Sequence, residues 1–129
     1  MTDEASEHKR LVEALVKELK NQRFEIFTAS SDGYEPCSEV DGCVPDVKAY
    51  NRKKEYVVFG LAKTCGEIAD EQTEEQLKVL ANRYMHKGKS HGSAVPLCIA
   101  ITKGCEPQLD ALLLKLSLDG KKNIFRYAF

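Results

Sequence analysis

The chain has 129 residues, 43% of them apolar, with 8 glycines and 4 prolines, which is the composition of one ordinary globular domain. Nineteen basic residues against 20 acidic ones leave a net charge of -1, so no global field draws the protein onto a polyanion and any nucleic-acid contact has to come from a local patch. The charged N-terminus MTDEASEHKR precedes no apolar signal core, and no run of about 18 apolar residues exists; a soluble, cytoplasmic protein that does not enter the membrane is expected.

Residues 4 to 21 place Leu11, Val12, Leu15, Val16 and Leu19 at the i, i+3, i+4 spacing of an amphipathic helix. On that wheel Glu13 falls on the solvated side. Glu7 and Glu18 fall on the flank of the apolar stripe, and Glu4 and His8 near its centre at the N-terminal end, so these four are the polar groups able to look inward. RFEIFTAS (23 to 30) alternates and predicts a first strand, followed by a loop rich in turn formers. CVPDVKAY (43 to 50) predicts a second strand and NRKK a charged turn. EYVVFGLAKT (55 to 64) predicts a third, apolar on both faces as a central strand should be.

The pattern Thr73-Glu74-Glu75-Gln76 has the N-cap and N3 residues of a capping box, and Leu77, Leu80, Ala81 and Tyr84 supply the stripe of the helix it predicts. AVPLCIAIT (94 to 102) predicts a fourth strand, again apolar on both faces and reached through a helix, as a parallel crossover requires. Residues 107 to 118 predict a last helix and NIFRYAF a short terminal edge strand. The order α-β-β-β-α-β-α-β predicts one α/β domain over residues 1–129, a central mixed sheet flanked by helices. The terminal strand offers an edge through which a homodimer could form.

Five cysteines, an odd number with no CxxC pair, favour reduced thiols over a disulfide framework. Cys37, Cys43, His86 and His91 could be gathered into a zinc site, but their spacings are loose for a closed one. Cys65 reads as a small core residue before it reads as a nucleophile. Basic residues cluster as Arg52, Lys53 and Lys54 in the strand turn, and as Arg83, Lys87 and Lys89 beside Tyr84 and His86. Both suit phosphate contacts and both are also ordinary solvated surface.

Pro45-Asp46 on the second strand and Leu61-Ala62-Lys63 ending the third, within this order of elements, resemble the PD-(D/E)XK phosphodiesterase superfamily of restriction endonuclease-like and RecB-like nucleases over roughly residues 7 to 102. The resemblance implies a restriction endonuclease-like fold and Mg²⁺-dependent hydrolysis of a phosphodiester, with Mn²⁺ able to replace Mg²⁺ and DNA rather than RNA as the nucleic-acid partner. Carried over by position, Asp46 would ligate the metal, the carbonyl of Ala62 would be a second ligand, and Lys63 would orient the attacking water. Leu61 stands where the family has an acid and cannot bind metal. A substitute carboxylate is then expected from the first helix, Glu7 or Glu18, or from the following helix, Glu71, Glu74 or Glu75. Without one, the resemblance implies a nuclease fold that no longer cleaves and serves as a binding or assembly module.

Overall fold

The computed structural model describes residues 4–86 and 90–129. In chain order the elements are α1 (Glu4–Asn21), β1 (Glu25–Ala29), β2 (Val47–Asn51), β3 (Tyr56–Lys63), α2 (Cys65–Ile68), α3 (Glu71–Ala81), β4 (Leu97–Ile101), α4 (Glu106–Lys115) and β5 (Ile124–Ala128). One five-stranded sheet runs β1-β2-β3-β4-β5. β1, β2 and β3 form an antiparallel meander, and β4 and β5 add in parallel after helical crossovers. The expected α/β class and mixed sheet are therefore present, and β5 lies at the expected edge. A bulge between Ile26 and Thr28 breaks the alternation foreseen for β1.

The two faces of the sheet bury different residues. Leu11, Val12, Leu15, Val16 and Leu19 of α1 pack against Ala29, Val47, Ala49, Val58, Ala62, Cys98 and Ala100, a surface of small side chains that lets the helix approach closely. Gly60 marks the tightest point, where an added Cβ would lie 2.7 Å from Leu15 Cδ2 and 3.0 Å from Val47 Cβ. On the other face Phe59, Leu61, Leu97, Ile99 and Ile101 meet Leu77, Leu80 and Ala81 of α3 and Leu109, Leu112 and Leu113 of α4. These large side chains hold their helices further off.

The helix expected from Thr73 begins earlier. α3 starts at Glu71, and Thr73 is buried inside it, its hydroxyl donating to the carbonyl of Glu67 at 2.5 Å. The capping box belongs instead to α2, a single turn opened by Thr64, whose hydroxyl accepts from the Glu67 amide while the Glu67 carboxylate accepts from the Thr64 amide. That turn sits directly after Lys63, at the C-terminal end of β3.

The thiols also differ from expectation. Cys65, at the start of α2, and Cys105, just before α4, form a disulfide with their Cα atoms 5.4 Å apart, and Cys37, Cys43 and Cys98 are free and buried. The parallel topology explains the pairing. β3 and β4 are neighbours pointing the same way, so residues just past their C-terminal ends lie side by side although 40 positions apart in sequence.

Candidate functional site

β2 ends its pairing with β3 at Val47 opposite Gly60, where the Asp46 amide donates to the Gly60 carbonyl at 2.8 Å. The preceding residue is Pro45, which has no amide hydrogen to continue the ladder. The next donor on β3, the Ala62 amide, is satisfied by the Asp46 carboxylate, with Oδ2 at 2.8 Å. Strand geometry thus presses Asp46 against the Leu61-Ala62-Lys63 segment, the juxtaposition that the resemblance implies. The contact runs through the amide of Ala62 rather than the carbonyl assigned to metal.

The other Asp46 oxygen, Oδ1, lies 3.0 Å from Nε2 of His8, and Nδ1 of the same ring lies 3.0 Å from Glu67 Oε1. His8 comes from the first turns of α1, where the helical wheel turned it inward, and Glu67 comes from α2. With a carboxylate oxygen at each nitrogen, the ring donates twice and is the imidazolium. Its pKa is raised to about 9, chiefly by the hydrogen bond to Asp46; burial opposes the rise, and Glu67 adds to it. A cation held between two carboxylates therefore occupies this corner, built from side chains alone.

Lys63 and Leu61 share a strand face, as alternation predicts, but their surroundings differ. Leu61 is 0% exposed inside the α3 and α4 core, flanked by residues such as Ile68, Leu77 and Ile99. Lys63 is only 7% exposed, and among the described residues its side chain makes no hydrogen bond or ion pair. The aliphatic stem accounts for that burial, and the ammonium is not among the buried unpartnered groups of the described residues, so it is a cation at the strand end open to a ligand.

The substitute acids expected from sequence are engaged elsewhere. Glu7 is held by Arg10, at 2.7 Å to both Nε and Nη2, and accepts from the Thr102 hydroxyl at 2.6 Å; the Arg10 bond first and the Thr102 bond second bring its pKa down to about 2. Glu18 lies ten residues beyond His8, about 15 Å along the helix axis, and accepts from Gln22 at 2.8 Å. Glu74 pairs with Lys115 of α4 at 2.6 Å, and Glu71 and Glu75 lie on the same helix beyond the α2 turn. Glu67 is the acid that reaches the Asp46 corner. The signal for it was Thr64-Cys65-Gly66-Glu67, a second capping-box pattern, which folds a carboxylate back over the strand end.

Oxygen donors of the kind Mg²⁺ prefers are therefore present in Asp46, Glu67 and the Ala62 carbonyl. As arranged they do not fit a metal ion, because the His8 ring stands between the two carboxylates. Among the described residues no group of three or more His, Cys, Asp or Glu could hold a metal. Cys37 accepts from the Thr28 hydroxyl at 3.0 Å, Cys43 bridges to Val40, and His86 and His91 are exposed, so the zinc grouping does not form. Cys65 is in the disulfide and is no free nucleophile.

Of the basic residues, Arg52 is paired in fork geometry with Glu25, and Arg83 is paired with Asp41. Lys87 and Lys89 lie outside the described residues. No helix among the described residues is long and apolar enough to cross a membrane. Comparison with family models, curated proteins and solved structures returns no match.

Proposed function

We propose that this chain is a nuclease-like protein of the PD-(D/E)XK type that binds DNA at the corner made by Asp46, Ala62 and Lys63. In the state described, a protonated His8 takes the place of the divalent cation there, and the protein binds without cleaving. The observation that carries this reading is the imidazolium bridge between Asp46 and Glu67. Two features support it. The family's acid position is taken by a core leucine, and Lys63 is a cation at the end of β3, next in sequence to the Ala62 whose amide Asp46 holds, and suited to a phosphate oxygen.

A second reading, metal-dependent cleavage, is favoured by one observation: Glu67 brings a carboxylate to within one ring's width of Asp46. When bound, Mg²⁺ or Mn²⁺ would polarise the phosphate and supply an activated water. Asp46, Glu67 and the Ala62 carbonyl would hold it after His8 has given up its proton or moved aside, and Lys63 would position the water. Homodimerisation through the β5 edge and a cytoplasmic setting belong to the same proposal.

The test combines DNA binding with cleavage. Fluorescently labelled single- and double-stranded DNA is titrated with the wild type, Asp46→Asn, Glu67→Gln and Lys63→Ala, with and without Mg²⁺ or Mn²⁺. Binding weakened at least tenfold by Lys63→Ala, with no cleavage by the wild type, is the expected result. Metal-dependent cleavage lost in Asp46→Asn and Glu67→Gln would establish the second reading. Equal DNA affinity of the wild type and Lys63→Ala, without cleavage, would sink both.

A further inference from the structure

The Cys65–Cys105 disulfide joins the same short turn that carries Glu67 to the start of the next crossover, just before α4. α2 spans only Cys65–Ile68. Apart from the bridge it is fixed by the Thr64–Glu67 capping box, the Glu67 bond to His8, its own backbone bonds from the Ile68, Ala69 and Asp70 amides, the buried Ile68 side chain, and the Thr73 hydroxyl on the Glu67 carbonyl. One helical turn has no cooperative stability of its own. The other end of the bridge is anchored firmly, because Cys105 is 1% exposed among the residues that pack α4. Glu67 lies two residues past Cys65; its carboxylate bonds directly to His8 and the Thr64 amide, and the covalent tether fixes the turn that carries it.

The two ends also differ in access. Cys65 is exposed, whereas the three free cysteines are buried, and burial raises the thiol pKa of each, to about 12 for Cys98. The bridge is the sulfur chemistry of this chain that a reagent in solvent can reach.

We infer that Cys65–Cys105 is a reversible redox latch, which fixes the Glu67 turn against the Asp46 corner when oxidised and frees it when reduced by a dithiol. In the reducing direction, one thiolate of the dithiol attacks the Cys65 sulfur, the Cys65–Cys105 bond breaks, and Cys105 leaves as a thiolate that takes up a proton. The second thiol of the reductant then closes on its own mixed disulfide and releases Cys65. Two electrons and two protons pass to the protein, and the reductant becomes a disulfide. In a reducing compartment the dithiol form predominates, and an oxidant re-forms the bridge. The link to DNA handling rests on the function proposed above; the latch itself does not.

The experiment uses the full chain, oxidised and then treated with dithiothreitol. Alkylation under denaturing conditions followed by mass spectrometry is expected to find three reactive thiols before reduction and five after. Amide hydrogen exchange is expected to quicken at least tenfold in residues 65–70 on reduction, with β3 and β4 unchanged, and to return on reoxidation. Cys65→Ser, a change at the exposed end that spares the buried one, should match the reduced wild type in that segment. Five reactive thiols in the oxidised sample would overturn the inference. So would a bridge whose reduction leaves exchange in 65–70 unaltered, since it would then be a staple and not a latch. DNA affinity measured in both forms reads the proposed function separately, because the exchange result stands whether or not DNA binds.

Discussion

The two faces of the sheet solve the same problem, burying a helix, in opposite ways. On the α1 face the strands present glycine, alanine, valine and cysteine, and the helix settles close enough for His8 to reach Asp46 at the strand ends. On the α3 and α4 face they present leucine, isoleucine and phenylalanine. Leu61 belongs to that second pattern. It is one of the large residues of a well-filled layer, and the nearest carboxylate beyond it on the chain is Glu67 of the α2 turn. The His8–Asp46–Glu67 bridge sits where the small-residue face meets the open strand ends, and apolar packing claims the rest.

The largest effect that bears on this contrast is expected from Leu61→Glu. Were position 61 a site residue with room for a ligand, an acid there would be tolerated. In a fully enclosed layer it buries an unpartnered carboxyl, and a loss of more than about 4 kcal/mol in urea unfolding is expected. A variant as stable as the wild type would undo the contrast between the faces.

Gly60→Ala probes the close face with a single methyl group. Leu15 can move its methyl group away, but the Val47 Cβ at 3.0 Å is fixed to backbone, and a loss of about 2 kcal/mol is expected. The same denaturant titration measures it, and an unchanged midpoint would show that α1 has room to retreat.

His8 tests the junction through pH. Its pKa is raised from 6.5 to about 9 in the folded chain, so its stabilisation is fully present below about pH 6.5 and is lost as pH rises through 9. With the ring one-quarter exposed, about 2 kcal/mol of pH-dependent stability is expected after allowance for solvent screening. Comparing unfolding midpoints at pH 6.5 and 9.5 in the wild type and His8→Gln checks this, since the variant should lack the decline. The smallest effect is expected from Glu74→Gln, which removes a surface pair with Lys115; a thermal midpoint within error of the wild type, and unaltered DNA affinity, are the outcomes to look for.

Much of the fold was legible because it follows from periodicity. The α1 stripe, the doubly apolar β3 and β4, and the helical connection between them need only hydrophobic spacing and the rule that parallel neighbours require a crossover. The α2 turn was not legible, and its loss misdirected the search for an acid. Two capping-box patterns stand nine residues apart, Thr64 to Glu67 and Thr73 to Gln76; the second precedes the long apolar stripe and so looked like the helix start. A single turn has no stripe to announce it. The disulfide was hidden for a different reason: 40 residues separate its cysteines, and their proximity exists only once β3 and β4 are laid side by side. That Asp46 would lie near Ala62 is what the resemblance implies, and the bond between them runs through the Ala62 amide. Which groups neutralise Asp46 depended on three elements meeting at one corner.

The bond from the Ala62 amide to Asp46 couples the interior of the sheet to whatever happens at its rim. A backbone hydrogen that would ordinarily face a neighbouring strand faces a side-chain carboxylate oxygen instead. Departure of His8 or arrival of an anion alters the field at that one hydrogen, at a residue otherwise sealed from water. The Ala62 resonance in a nitrogen–proton correlation spectrum of ¹⁵N-enriched protein is accordingly a native reporter of site occupancy, readable without an attached probe and without assuming what the occupant is.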